Sequence, residues 1–142
     1  MTAPGIEVRN LSLHFGDRRL FDNLSLTVPG GQWVSLLGAS GAGKTSLLRV
    51  MAGLAPATCG EVVASDGKPI PGRLAWMGQK DLLYPWLSVR ENVALGARLR
   101  GEKVDHARVA TLLEQVELAS CADARPATLS GGMRQRAALA RT

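Results

Sequence analysis

Cysteine is scarce in this 142-residue chain: only Cys59 and Cys121 occur, far apart and outside any CxxC-type spacing. Two such residues suit reduced thiols in a cytosolic protein; a bridge between them has no support in the pattern. Histidine is equally sparse. His14 and His106 are isolated and lack metal-ligand spacing, so both read as surface or packing residues. Residues 1–5 show no basic stretch leading into an apolar one, hence no secretory signal. No apolar run approaches the ~20 residues needed to span a bilayer. Internal repeats, coiled-coil heptads and low-complexity tracts are missing as well, which removes solenoids and fibrous proteins from consideration.

What remains is the make-up of a globular domain, with 46% hydrophobic and 20% charged residues. The length suits one domain able to bury a real core. Seventeen basic residues against 12 acidic ones give a net charge of +5, a balance compatible with nucleic acid, a membrane surface or a polyphosphate ligand. The arginines are spread out, with small groups at Arg18-Arg19 and Arg134/Arg136/Arg141. Most read as solvated faces, and charge alone decides nothing.

The run Gly38-Ala39-Ser40-Gly41-Ala42-Gly43-Lys44-Thr45 fits a phosphate-binding P-loop at every specified position. Residues 32–37 before it read as a buried strand, and residues 46–53, starting at Ser46, read as a helix. Glycines let the backbone curl so that successive N–H groups point inward at phosphates. The new helix adds its positive N-terminal end. Lys44 is placed to put an ammonium on the β- and γ-phosphates, and the Thr45 hydroxyl to ligate Mg²⁺. In a mere turn the Lys-Thr pair would have no role, so the reading is a nucleoside triphosphate site.

Around this loop the periodicity changes. Ile6 and Val8 share a face, the phase slips near Asn10, and Leu11, Leu13 and Phe15 take over, which predicts a bulge. Gly16-Asp17 marks a turn; Leu24, Leu26 and Val28 alternate before Pro29-Gly30-Gly31. An antiparallel β region therefore precedes the P-loop strand. The P-loop helix is expected to stop at Gly53, with Pro56 beyond. Residues 61–65 and 68–70 flank Asp66-Gly67 as a predicted hairpin, and residues 73–77 read as another short strand. Ser88 and Glu91 form a capping box that opens a helix to about Arg98. Val109, Leu112, Leu113 and Val116 recur at i, i+3, i+4 and i+7, an amphipathic helix. A last helix starts near Gly132.

Leu129-Ser130-Gly131-Gly132-Met133-Arg134-Gln135-Arg136 is the second constellation. Ser130 is a good N-cap, and two glycines leave the first N–H groups uncovered, building an anion site from bare backbone. Taken alone, Ser-Gly-Gly is simply a capped helix. Together with the P-loop, and with Gln79 between them, it resembles the ATP-binding subunit of an ABC transporter from about residue 6 to residue 142. The fold this implies is an α/β P-loop NTPase of ABC type. It has an antiparallel β region, an incomplete parallel core sheet and a helical insert. Residues 1–84 and 129–142 would form the ATP-binding core, and residues 85–128 the inserted helical subdomain.

The resemblance also assigns roles. Ser130, Gly131 and Gly132 match the signature that reads ATP from the opposite subunit. Gln79 matches the glutamine that approaches Mg²⁺ and the attacking water and links the site to the transmembrane partner. Phe15 stands where the family places an adenine-stacking aromatic, although a lone Phe on a strand is by itself a core residue. The candidate ATP contacts are thus Phe15, Gly38, Ala39, Ser40, Gly41, Ala42, Gly43, Lys44, Thr45, Ser46, Gln79, Ser130, Gly131 and Gly132. Lys44 and Gln79 are the catalytic candidates, and Thr45 and Gln79 the Mg²⁺ ligands.

Departures from the family pattern are informative. Met133 replaces the usual Gln, and with Leu83-Tyr84-Pro85-Trp86 this is similar to the importer group handling nitrate, sulfonates, taurine or pyrimidine precursors. Tyr84 stands in place of that group's Leu. The Tyr84–Trp86 neighbourhood would dock a coupling helix of the permease, or Trp86 packs within the helical insert. The family's acidic Asp-Glu pair after an apolar strand, and its later His, have no counterpart downstream of Lys44. A general base commonly contributes about 10² to 10⁴ in rate, so the 142 residues are expected to be the N-terminal part of an ABC ATPase.

The expected function is the energy-coupling subunit of an importer, binding Mg-ATP as a head-to-tail homodimer under transmembrane permease subunits. A solute-binding protein would act indirectly, and the location would be cytoplasmic, peripheral on the inner face of the cell membrane. One alternative is a truncated nucleotide-binding module without turnover. Another, a DNA-repair or chromosome-type ABC ATPase, is disfavoured because only about 50 residues separate Gln79 from Ser130 and no basic stripe is present; no nucleic-acid partner is expected.

Overall fold

The computed structural model describes residues 3–70 and 72–142. It comprises two compact units, Met1–Ala75 and Trp76–Thr142.

In the N-terminal unit, β1 (Ile6–Phe15), β2 (Arg18–Val28) and β3 (Cys59–Ala64) form one antiparallel sheet in the order β2-β1-β3. The predicted bulge is present. From Val8↔Leu26 to Leu11↔Leu24, β1 advances three residues while β2 advances two. Asn10 occupies the bulge at φ 47, a region that Asn tolerates through local hydrogen bonds. Its Nδ2 donates to Asn23 Oδ1 at 2.7 Å, and its backbone N–H, lost to the ladder, donates to Ser25 Oγ at 2.9 Å. Across the other edge Gly60, at φ 85, lies so close to the carbonyls of Arg9 and Asn10 that a Cβ would collide with both. The extra residue keeps Val8, Leu11 and Leu13 together in the core despite their uneven spacing.

Helix α1 (Lys44–Met51) buries Leu47, Val50 and Met51 in that same core, at i, i+3 and i+4. It stops where predicted. Gly53 takes φ 70, its N–H donates to Val50 O at 3.0 Å, and Leu54 N–H donates to Arg49 O at 2.8 Å. This pair of bonds is the Schellman motif, which satisfies carbonyls that the helix end leaves open.

Two strand expectations are corrected. Residues 32–37 form no strand, and they are exposed, Trp33 fully and Leu37 at 88%. Residues 73–77 form none either, with Leu74, Trp76 and Met77 exposed. The Asp66-Gly67 turn does form, with Gly67 at φ 70, but residues 68–70 do not pair back on β3. Instead Arg73 closes on Asp66 with two hydrogen bonds of 2.6 and 3.1 Å. Among the described residues, then, the sheet is antiparallel throughout and the expected parallel strands have no ladder. The reason is physical. An apolar run shows that a segment suits a buried strand, but a strand exists only when another chain segment supplies its hydrogen-bonding partners.

The C-terminal unit is helical: α2 (Val89–Val93), α3 (Leu95–Leu99), α4 (His106–Gln115) and α5 (Gly131–Arg141), with 3₁₀ turns at Ala119–Cys121 and Pro126–Thr128. The helix expected from residue 88 to about 98 is realised as two short helices meeting at Ala94. The capping box is formed: Ser88 Oγ accepts from Glu91 N–H at 3.2 Å and Glu91 Oε2 from Ser88 N–H at 2.8 Å. That backbone donor is the main reason the Glu91 carboxyl titrates below its ordinary value. Val109 and Leu113 of α4 are buried, and Leu112 and Val116 pack half-buried beside them, as the periodicity requires. Just past α4, Glu117 takes φ 57, and buried Leu118 after it returns a hydrogen bond to Leu113 O at 2.8 Å.

Asn92 is fully buried in this unit. Its Oδ1 accepts from Tyr84 N–H at 2.8 Å, and its Nδ2 lies 3.0 to 3.2 Å from the carbonyls of Tyr84, Leu87 and Ser88. One side chain thereby satisfies the main chain of residues 84–88. Among the described residues no helix is long and apolar enough to cross a membrane.

Candidate functional site

The loop predicted to bind phosphate, Gly38 to Thr45, lies in the N-terminal unit and is built as its residue types require. Gly41 and Gly43 take φ 81 and 88, conformations costly for any residue with a Cβ. A Cβ built at Gly43 would lie in ordinary contact with Leu20 and the Phe21 ring, at 3.5 and 3.4 Å, so the loop rests on β2. Ala42 N–H donates to Ala39 O at 3.2 Å, curling residues 39–42. α1 then starts without a side-chain cap, so its first N–H groups face outward uncommitted. Lys44 Nζ donates to Gly38 O and Ala39 O, both at 2.7 Å. Its ammonium is therefore held at the mouth of the loop, beside those amides.

Phe15 is 60% exposed at the end of β1, opposite Arg18, and thus not the core residue that a lone strand Phe suggests. The strand that pairs with it, β2, carries Leu20 and Phe21 next to Gly43.

In the C-terminal unit, Ser130 Oγ accepts from Met133 N–H at 3.3 Å, the cap expected of it. Gly131 and Gly132 are exposed, and a Cβ on Gly132 would meet nothing within 4 Å. The contrast with α2 is sharp. There Val89 and Arg90 N–H are spent on Ala124 O and Ala122 O, at 2.9 and 2.8 Å. α1 and α5 instead present bare amides, and a helix start of that kind attracts oxyanions. Gln79 is exposed, and its backbone carbonyl accepts from Gln135 Nε2 at 3.1 Å.

These groups suit a nucleoside polyphosphate: free amides and one ammonium at the P-loop, and a second amide cluster at Ser130-Gly132. For Mg²⁺ the Thr45 hydroxyl offers a hard oxygen on an exposed residue. Among the described residues no group of three or more His, Cys, Asp or Glu could hold a metal.

The arginine group Arg134/Arg136/Arg141, read from composition as a solvated face, is engaged throughout. Arg134 Nε bonds Asp81 Oδ2 at 3.2 Å, Arg136 Nη1 bonds Val116 O at 2.9 Å, and Arg141 bonds the carbonyls of Asp81 and Leu82 at 2.6 and 2.7 Å. The seven-residue spacing of Arg134 and Arg141 was the available signal, since it puts both on one helix face. Trp86 is 64% exposed and meets Tyr84 edge-on, ring centroids 5.1 Å apart. It is not packed within the helical core.

A fold of this kind is found in a solved structure described as the structure of an ATP-binding subunit of an ABC transporter. The TM-score is 0.80 at 24% identity, over 96% of this chain and 60% of that one. Residues 21–142 match the ABC transporter family, and the chain belongs to it. The aliphatic sulfonates import ATP-binding protein SsuB 1 of Paracoccus denitrificans (strain Pd 1222) is 44% identical over 140 residues, 99% of this chain and 55% of that protein. SsuB 2 of the same organism is 46% identical, again over 99% of this chain and 54% of the relative. An uncharacterized ABC transporter ATP-binding protein of Haemophilus influenzae is 44% identical over 96% of this chain and 57% of its own length. The chain spans about half the length of the curated relatives it matches.

Proposed function

We propose that this chain carries the nucleotide-gripping half of an ABC importer's ATP-binding subunit, which binds Mg-ATP and, at its relatives' full length, hydrolyses it to drive solute uptake. The carrying observation is a pair of helix starts within one chain, at Lys44 without a side-chain cap and at Ser130 with exposed Gly131 and Gly132. In a head-to-tail homodimer one subunit's Lys44 loop and the other's Ser130 helix would share a triphosphate. ATP would then close the pair, because only both halves together neutralise its charge. Phe15 stacks the base, Gly38 through Ser46 hold the phosphates, Thr45 ligates Mg²⁺, and Gln79 serves the metal and the attacking water.

Residues 85–128 are read as the helical subdomain inserted in a core of residues 1–84 and 129–142. Exposed Leu82, Tyr84 and Trp86 offer the permease an apolar surface. The subunit would sit on the cytoplasmic face of the membrane, with the solute-binding protein acting indirectly. Two relatives are named for aliphatic sulfonates, which supports small organic sulfonates as cargo, selected by the permease and binding protein rather than by this chain.

The test is Lys44→Ala. ATP affinity of the chain, measured by titration calorimetry with Mg²⁺, is expected to fall at least about tenfold, as for loss of a buried charge-assisted contact. Unchanged affinity would show that the loop is not the phosphate site. Phosphate release measured beside affinity separates a subunit that turns ATP over from a module that only binds it.

A further inference from the structure

The last helix does more than present Ser130. Its far end and its middle grip the segment that follows Gln79. Arg141 donates from Nη2 to Asp81 O at 2.6 Å and from Nη1 to Leu82 O at 2.7 Å. Arg134 Nε meets Asp81 Oδ2 at 3.2 Å, and Gln135 Nε2 meets Gln79 O at 3.1 Å. Three of these four bonds go to main-chain carbonyls, so they fix the course of the backbone whatever side chains it carries. Within the gripped segment, Asp81 Oδ1 accepts from Leu83 N–H at 3.1 Å, a small turn that encloses Leu82.

Leu82 takes φ 48, a left-handed conformation that a residue of its bulk rarely adopts. Packing of its own side chain does not account for this, since Leu82 is 67% exposed. What holds it is the guanidinium of Arg141 on its carbonyl and on the one before. Such planar forks are suited to two acceptors at once, a geometry a lysine does not reproduce. A strained backbone maintained by its surroundings is a common property of functional segments.

We propose that Arg141, supported by Arg134 and Asp81, is a positioning residue that clasps residues 79–82 to α5. Gln79 and the exposed Leu82, Tyr84 and Trp86 then move with Ser130 as one body. Resting on the reading of Gln79 and Ser130 as parts of an ATP site, this makes α5 the lever that joins signature contact to water positioning and to the permease surface. All of its parts lie within the C-terminal unit.

Two measurements test it. In the 142-residue chain, Arg141→Ala should speed amide exchange of residues 79–83 at least about tenfold, as expected when a local hydrogen-bonded unit opens. Exchange in the middle of α5 should stay unchanged, and Arg141→Lys should recover only part of the protection. Unaltered exchange at 79–83, or full recovery with Lys, would overturn the clasp. In the full-length subunit assembled with its permease, Arg141→Ala should lower kcat about tenfold with the KM for ATP within about twofold. Arg136→Ala, which cuts the tie of α5 to Val116 but not to residues 79–82, serves as the structural control. Equal effects of the two substitutions on kcat and KM would overturn the positioning role. A wild-type subunit that neither binds nor turns over Mg-ATP would defeat the ATP-site reading instead, while the exchange result would still decide the clasp.

Discussion

In the C-terminal unit several helix starts and one loop are satisfied by neighbours close in sequence: Ser88 and Glu91 cap each other, Asp105 caps Arg108, and Asn92 closes the loop four to eight residues before it. In the N-terminal unit the β1 ladder draws on segments up to 58 residues away, as in Ile6↔Ala64, and residues 32–39 run with no ladder at all. Local rules complete a helix, because every donor finds its acceptor within a turn or a cap. A sheet is completed only by segments that arrive from elsewhere. The same contrast separates the two helix starts offered to an anion. α5 is capped by its own Ser130, whereas α1 has no cap and relies on a curled loop seated on β2.

Four perturbations sharpen this comparison. The largest effect is expected from Asn92→Leu, which strips partners from several buried main-chain groups of residues 84–88. Stability should fall by about 3–4 kcal/mol, from the cost of leaving such groups unpaired, seen as a lower denaturant midpoint by helical circular dichroism. If stability is retained, local side-chain satisfaction is not what holds that unit.

Gly60→Ala strikes the ladder side. It puts a Cβ against the Arg9 and Asn10 carbonyls at φ 85, and about 2–3 kcal/mol should be lost. Faster amide exchange along β1 and β3 would report it. Ser130→Ala removes one cap at the start of α5 and should cost about 1 kcal/mol, read as a lower denaturant midpoint.

The smallest effect concerns Asp66. Hydrogen bonding from Arg73 holds its carboxyl at about 2, against an ordinary 3.8. Because the folded value is the depressed one, the Asp66–Arg73 clasp contributes fully above 3.8 and is lost as pH falls through about 2. Arg73→Gln should return the Asp66 titration, followed by carboxyl NMR shifts, towards 3.8; a titration that stays near 2 would assign the shift to another group.

Much of this was legible beforehand, and the residues show why. The phase slip at Asn10, the stop at Gly53, the Ser88–Glu91 box and the Ser130 cap are written in neighbouring positions, where spacing alone dictates geometry. The P-loop is legible because its glycines act through their own backbone and Lys44 through an ammonium that reaches only five or six residues back. Residues 32–37 and 73–77 were misread as strands because hydrophobicity names a preference, and no partner strand pairs with them. Asn92 carried no mark distinguishing it from a surface amide. The spacing of Arg134 and Arg141 marks a shared helix face, but nothing local shows that the carbonyls of residues 81–82 lie across it.

By itself, then, the order of residues determined where the P-loop helix stops, where β1 bulges, and which helix starts carry glycines beside their first amides. Only tertiary structure decided that Phe15 stands exposed at the end of β1, that residues 32–37 go without a ladder, and that Arg141 reaches back sixty positions to hold Asp81. Caps, turns and glycine geometry act over a few bonds and leave a trace in neighbouring letters. Exposure, ladders and long-range clasps depend on which distant segments meet, and no short window of sequence records that.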